Sequence, residues 1–182
     1  MRVINGWVES INPSSILVKD FFLKKMIMKL HGFYILKDEY FELANDPFLK
    51  NNKDGNRPFY YCFKDNTQDE LFWMIPLSSK IDKYRNIIRK RKENHKPNDG
   101  LYICKLPNDR ESVFLIQDIF PIKEEHIERE YTLGGNHLVL PYETDINEID
   151  KRARKVINLV KKGIKLTPTS PDINSILMKI KW

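Results

Sequence analysis

Two adjacent hydroxyls and a lysine, Ser78-Ser79-Lys80, stand where the apolar run Ile75-Pro76-Leu77 gives way to a different period. Beyond them Ile81, Tyr84, Ile87 and Ile88 recur at helical spacing, with positive charges at the positions between. A strand therefore delivers two hydroxyls to the start of a helix. The first N–H groups of a helix lack intrahelical partners and form the positive end of its dipole, so they favour a phosphate. Lys80 and Lys83 are expected in the first turn of that helix, where they add charge to the same spot. Fixed donors with a lysine can stabilise, without a metal, the phosphorane dianion that forms when an RNA 2′-OH attacks its neighbouring phosphate. Taken alone, the segment has a plainer reading, in which Ser78 or Ser79 only caps the helix.

Other residue types offer less. The four histidines, His31, His95, His126 and His137, titrate near neutrality but lie far from the serine pair in sequence. Each is read as a surface side chain; His31, just before Phe33-Tyr34, is the one that could face an active surface. The two cysteines, Cys62 and Cys104, sit inside apolar runs and read as buried, reduced thiols. No spacing calls for a metal or an organic cofactor, so none is expected. No acidic constellation accompanies the basic segments, which disfavours a metal-dependent nuclease.

The net charge of +6 draws the chain toward polyanions, and the charge is concentrated. Lys80, Lys83, Arg85, Arg89, Lys90, Arg91, Lys92 and Lys96 face only Asp82 and Glu93 in the first run. A second run holds Lys151, Arg152, Arg154, Lys155, Lys161, Lys162 and Lys165 with no acid inside it. One such run is ordinarily a solvated face; two on a small domain favour a polyanion site. Arg85, Arg89, Lys90, Arg91, Lys92, Lys151, Arg154 and Lys155 are the candidate RNA contacts. No apolar run approaches membrane-spanning length, and the N-terminus lacks the order of a signal peptide, so no membrane partner is expected and the compartment is read as cytoplasmic.

The elements that must position these residues are mixed. Hydrophobic content of 41% with 12% aromatic implies a folded core. Residues 1–28 lack a clear amphipathic period and are read as an N-terminal extension, with Met26 and Met28 as alternative starts. Residues 29–182 are read as one domain. Phe33 to Leu36 is a strand and Asp38 to Ala44 a short helix. Pro58–Lys64 and Glu70–Leu77 form a hairpin across the turn 65–69. The helix after Ser79 gives way to a loop over 93–100. Strands follow at Leu101–Leu106 and Ser112–Phe120, joined by the turn 107–110, with Pro121 ending the second. Leu138 to Leu140 is a short edge strand. Asp145 to Val160 is the clearest helix, with Asp145 and Glu148 at capping-box spacing and Ile149, Ala153, Val156, Ile157 and Val160 as one stripe. Ser170-Pro171-Asp172 restarts a last helix to Ile180, with Ile173, Ile176 and Leu177 inward. The class is α+β: an antiparallel sheet core with peripheral helices.

The order of several short motifs resembles that of the endoribonuclease toxins of type III toxin–antitoxin systems, the ToxN/AbiQ group with its CptN and TenpN relatives. The resemblance runs from about Leu30 to Leu177. It is carried by Phe33-Tyr34 and Tyr40, by Pro76-Leu77-Ser78-Ser79-Lys80, by Phe114-Leu115-Ile116 through Phe120-Pro121-Ile122, and by the helix Asp145 to Lys162. It implies a compact twisted antiparallel sheet with peripheral helices, Kid/MazF-like. It also implies metal-independent RNA cleavage to a 2′,3′-cyclic phosphate and a 5′-OH, in phage defence by abortive infection. The partners implied are a repetitive antitoxin RNA, which the toxin processes and which then holds it inactive in a protein–RNA complex, and cellular or phage transcripts. The catalytic residues implied are Ser78, Ser79 and a lysine, with Tyr34 and Tyr40 beside the RNA. The family lysine commonly sits two places after the second serine, where this chain has Ile81. Either Lys80 serves from a shifted register or Lys83 substitutes one turn later. A non-catalytic RNA-binding protein of the same fold fits the composition equally well; the serine–lysine segment and the resemblance favour catalysis.

Overall fold

Aromatic and β-branched runs pair into a sheet whose central strands are covered on both faces. A computed structural model describes residues 28–53, 55–68 and 70–180. The segment 1–27, most of the region read as an N-terminal extension, lies outside the described residues. Strand β1 (Phe33–Leu36) leads into helix α1 (Asp38–Ala44), and β2 (Phe59–Lys64) forms a hairpin with β3 (Phe72–Ser78). Helix α2 (Ile81–Glu93) follows, then β4 (Tyr102–Lys105), β5 (Glu111–Phe114), β6 (Phe120–Ile122) and β7 (Ile127–Glu130). A hairpin of β8 (Thr132–Leu133) and β9 (Asn136–His137) precedes α3 (Glu143–Val160) and α4 (Ile173–Ile180). The main sheet has the order β4-β5-β3-β2-β1-β7, every pair antiparallel, with β6 also on β3.

Every residue of β1, and Phe59 to Phe63 of β2, is buried. Such strands read as continuous apolar runs, without the alternation that marks a sheet wet on one side. Their main cover is α3, which buries the expected stripe Ile149, Ala153, Val156, Ile157 and Val160, and α4, which buries Ile173, Ile176, Leu177 and Ile180. Helix α2 is different: none of its residues is fully buried. Ile81, Tyr84, Ile87 and Ile88 rest on a small second core of Leu101, Val113 and Leu115 at the β4–β5 end of the sheet. Its charges are left in solvent.

Four expectations are corrected. The strand read over 112–120 is two strands: β5 pairs the end of β3 at Leu77 and Ser78, and β6 pairs its start at Phe72 to Met74. A 3-10 turn, Ile116–Asp118, separates them and turns Asp118 inward, where it is 3% exposed and paired with Lys50. Pro121 lies inside β6 opposite Trp73 and does not end a strand; on this edge its missing N–H costs no ladder bond. Helix α3 begins at Glu143, so Asp145 is within it and is no capping residue; its carboxylate instead accepts a hydrogen bond from the Tyr102 hydroxyl at 2.7 Å. The stretch 138–140 contributes a single bridge, Gly32 with Val139, and the regular hairpin lies just before it.

Candidate active-site cleft

The site is assembled by strand register. Phe59 pairs opposite Pro76, so continuing the antiparallel count brings Arg57 opposite Ser78. On the other edge Ser78 pairs opposite Val113, which brings Ser112 beside Ser79 and Glu111 beside Lys80. A cleft of about 310 Å³ opens here, lined by Ser78, Ser79 and Lys80 together with Lys53, Arg57 and Arg110. Asn108, Tyr131, Leu133 and Leu138 also line it.

The chain between the strand and the helix is held by Ser78, whose Oγ accepts the Lys80 N–H at 3.2 Å. The Ile81 N–H bonds to the Ser79 carbonyl at 2.9 Å, and Lys80 is the residue before the first helical one. Lys80 is thus outside the first turn in which it was expected, because this hydroxyl-closed turn delays the helix start. The N–H groups of Asp82 and Lys83, the next two donors, bond to nothing among the described residues. The cleft is positive: four cations line it against Glu111, and Glu111 is gripped by both oxygens from the Arg85 guanidinium at 2.5 and 2.7 Å. Arg57 is steadied by a 3.0 Å bond to the Asn51 carbonyl. Tyr84, one turn into α2, has its phenol pushed above its ordinary value, chiefly by burial and then by Asp118, with Arg57 and the Ser78 hydroxyl opposing. It therefore remains a protonated donor at neutral pH.

Other candidates are placed elsewhere. Lys83 is exposed, does not line the cleft, and lies 5.4 Å from the centre of its neighbour Tyr84's ring. Arg89 pairs with Glu93, and Lys90, Arg91 and Lys92 lie in the last turn of α2, some 14 Å along the axis from its start. Arg154 covers the Phe63 ring at 4.2 Å, Lys155 pairs with Asp99 at 2.6 Å and Lys151 with Glu148 at 3.8 Å. None of these α3 residues borders the cleft. Tyr34 and Tyr40, expected beside the RNA, are fully buried instead. The Tyr34 hydroxyl donates to the Lys29 carbonyl and accepts the Lys29 N–H, and the Tyr40 hydroxyl donates to the Pro121 carbonyl at 2.7 Å. Small sheets need aromatics to fill them, and a buried phenol takes a backbone partner. Tyr40→Phe is accordingly expected to cost about 1 kcal/mol in a denaturation experiment and to leave RNA binding unchanged.

Three histidines are structural, against the surface reading. His31 meets the Tyr60 hydroxyl at 2.9 Å, His126 Nδ1 accepts the Lys123 N–H, and His137 Nε2 lies 3.0 Å from the Phe33 carbonyl. Burial lowers the pKa of His31 and of His126. Cys62 and Cys104 are buried and unpaired, as expected.

Two solved structures share this architecture. One comes from work on bacterial type III toxin–antitoxin systems in which a non-coding RNA pseudoknot selectively inhibits the toxin; it is 15% identical, with a TM-score of 0.59. The other is AbiQ, a lactococcal anti-phage endoribonuclease belonging to a type III toxin–antitoxin system, 12% identical with a TM-score of 0.59. Each alignment covers 84% of this chain and 97% of the solved one. The chain has the type III toxin fold. No family model and no curated protein matches its sequence. At such identity the type III toxin fold carries over as architecture, and function has to be argued from the cleft. Among the described residues, no helix is long and apolar enough to cross a membrane.

Sequence reasoning missed Lys53, Arg57 and Arg110. The hairpin it assigned would have exposed Arg57 had its register been known, since the count from Phe59 opposite Pro76 leads directly to it. It also missed the β8–β9 hairpin, although Gly134-Gly135 between short runs is a two-residue turn signal.

Proposed function

We propose that this chain is a metal-independent endoribonuclease toxin of a type III toxin–antitoxin system. The observation that carries the proposal is the cleft at the end of β3, where two serine hydroxyls meet Lys53, Arg57, Lys80 and Arg110 on the type III toxin fold. A single-stranded RNA enters with its scissile phosphate against Ser78, Ser79 and Lys80. The 2′-hydroxyl gives up its proton to water as its oxygen attacks the adjacent phosphorus, the P–O5′ bond breaks, and O5′ takes a proton from water, so that the products are a 2′,3′-cyclic phosphate and a 5′-OH. Charge on the non-bridging oxygens grows in the transition state, and the Lys80 ammonium and Arg57 guanidinium offset it where it grows. The serine hydroxyls donate to the same oxygens and fix the phosphate. Arg89, Lys90, Arg91 and Lys92 on α2 extend the positive surface along the strand, and Lys151, Arg154 and Lys155 offer phosphate contacts on α3. A repetitive antitoxin RNA is processed in this cleft, and its product remains there as inhibitor in a protein–RNA complex.

Induced expression in a bacterial host tests the reading. Wild type is expected to arrest growth and fragment transcripts, and Ser79→Ala, present at equal level, is expected to do neither. Intact transcripts in arrested cells, with RNA retained on the purified protein, would favour the non-catalytic RNA-binding reading.

A further inference from the structure

A second hollow, of about 300 Å³, adjoins the cleft and shares Asn108, Leu133 and Leu138 with it. It is lined by the turn between β4 and β5, Pro107-Asn108, by the β8–β9 hairpin, and by Lys29. The hairpin is a well-anchored platform. Gly134 and Gly135 turn it with φ of 57° and 82°, the left-handed pair that a two-residue turn requires. His137 ties it to the Phe33 carbonyl at 3.0 Å, and the Leu138 N–H bonds to the Tyr131 carbonyl at 2.9 Å.

Leu133 and Asn136 are cross-strand partners, so their side chains share one face of the hairpin. Beside them lies Leu138, which is 5% exposed. The floor is therefore apolar, and the amide of exposed Asn136 stands over it without a described hydrogen bond. Across the hollow the Asn108 amide accepts the Arg110 N–H through Oδ1 at 3.2 Å, leaving its NH2 group unspent. An apolar floor beside amides that both donate and accept suits a nucleobase: the ring covers leucine and its edge meets the amide. Lys29 lines the hollow, and Arg57, Lys80 and Arg110 line the adjoining cleft, so cations are at hand for the phosphates next to that base.

Resting on the RNA-cleaving reading, we infer that this hollow is the subsite for a base flanking the scissile phosphate, and that Asn136 and Asn108 set the preference at that position. The occupant is single-stranded RNA, by continuity with the cleft and by charge.

Two measurements on the full chain test this. In the first, 2′-O-methyl single-stranded RNA, which lacks the attacking hydroxyl, is titrated by fluorescence anisotropy. Leu133→Ala is expected to weaken binding about tenfold, the scale of the apolar area that one leucine side chain buries. In the second, a random-sequence RNA pool is cleaved and the new 5′-OH ends are sequenced. Asn136→Ala is expected to flatten the base preference at one flanking position while the preference at the other positions is unchanged, as for loss of a single base-edge contact. Unchanged binding and an unchanged base profile in well-folded variants, as a hollow filled by protein would produce, overturn the inference. Leu133-dependent binding by a protein that cuts no RNA would defeat the cleavage reading and leave the subsite standing.

Discussion

Lys80→Ala is expected to slow RNA cleavage about 100- to 1000-fold, the range found when one preorganised charge-stabilising donor is removed. Lys83→Ala is expected to change it only a fewfold. The contrast follows from position. Lys80 stands between the end of β3 and the first residue of α2 and borders the cleft beside Ser79. Lys83 is the third helical residue, is exposed, and has its ammonium near Tyr84. Both lysines are exposed, so neither substitution should shift the unfolding midpoint appreciably, and single-turnover rates compare them directly. Equal losses from the two would mean that the phosphate sits deeper over the helix than the cleft geometry implies. Arg57→Ala is expected to behave like Lys80→Ala, since Arg57 lines the same cleft as the serine pair.

Asp65→Ala is expected to destabilise the fold by about 3 kcal/mol and to lower Tm by roughly 6–12 °C, with cleavage at low temperature unchanged. The Asp65 carboxylate is 5% exposed and accepts hydrogen bonds from Trp73 Nε1 at 2.8 Å, Thr67 Oγ1 at 2.6 Å and Lys161 Nζ at 2.9 Å. Truncation strands a buried indole N–H and leaves the Lys161 ammonium over the Trp73 ring without its counter-charge. Burial alone would raise the Asp65 pKa, but Thr67, Lys161 and Trp73 outweigh it and hold the carboxyl well below the ordinary range. A group depressed in the folded state stabilises above its unfolded pKa and loses that contribution as pH falls through the folded value. The difference between wild type and variant should therefore be constant at neutral pH and shrink below about pH 4, where the unfolded carboxylate begins to bind its proton. Activity is spared because Trp73 and Ser78 lie at opposite ends of β3, about 17 Å apart at the usual rise per residue.

How much of this was legible beforehand depended on whether a residue's fate was local. The apolar run of β1, the short segment of α1, and the periodic stripes of α3 and α4 depend only on near neighbours in the chain. The serine pair at a strand–helix junction was legible for the same reason. Tyr34 and Tyr40 were placed beside the RNA by the resemblance alone; Tyr34 lies on a strand buried on both faces, and Tyr40 is on the inward side of a helix whose Asp38, Glu39, Glu42 and Leu43 are exposed. The break between β5 and β6 depends on how two segments share one edge of β3, a non-local matter that the apolar run Phe114 to Phe120 conceals. His31, His126 and His137 read as surface residues because their partners, a tyrosine hydroxyl and backbone groups, lie on other segments or within a turn. Arg57 joins the serines only through strand register, which composition and spacing do not encode.

The central claim, that the Ser78-Ser79 cleft cleaves RNA by internal transesterification without a metal, is tested most directly on the products. Purified protein and a single-stranded RNA are incubated in EDTA, and the new 3′ ends are identified by mass spectrometry. The account predicts undiminished cleavage with 2′,3′-cyclic phosphate ends, lost in Ser79→Ala. Cleavage abolished by the chelator and restored by a divalent cation, or 3′-OH ends, would contradict it.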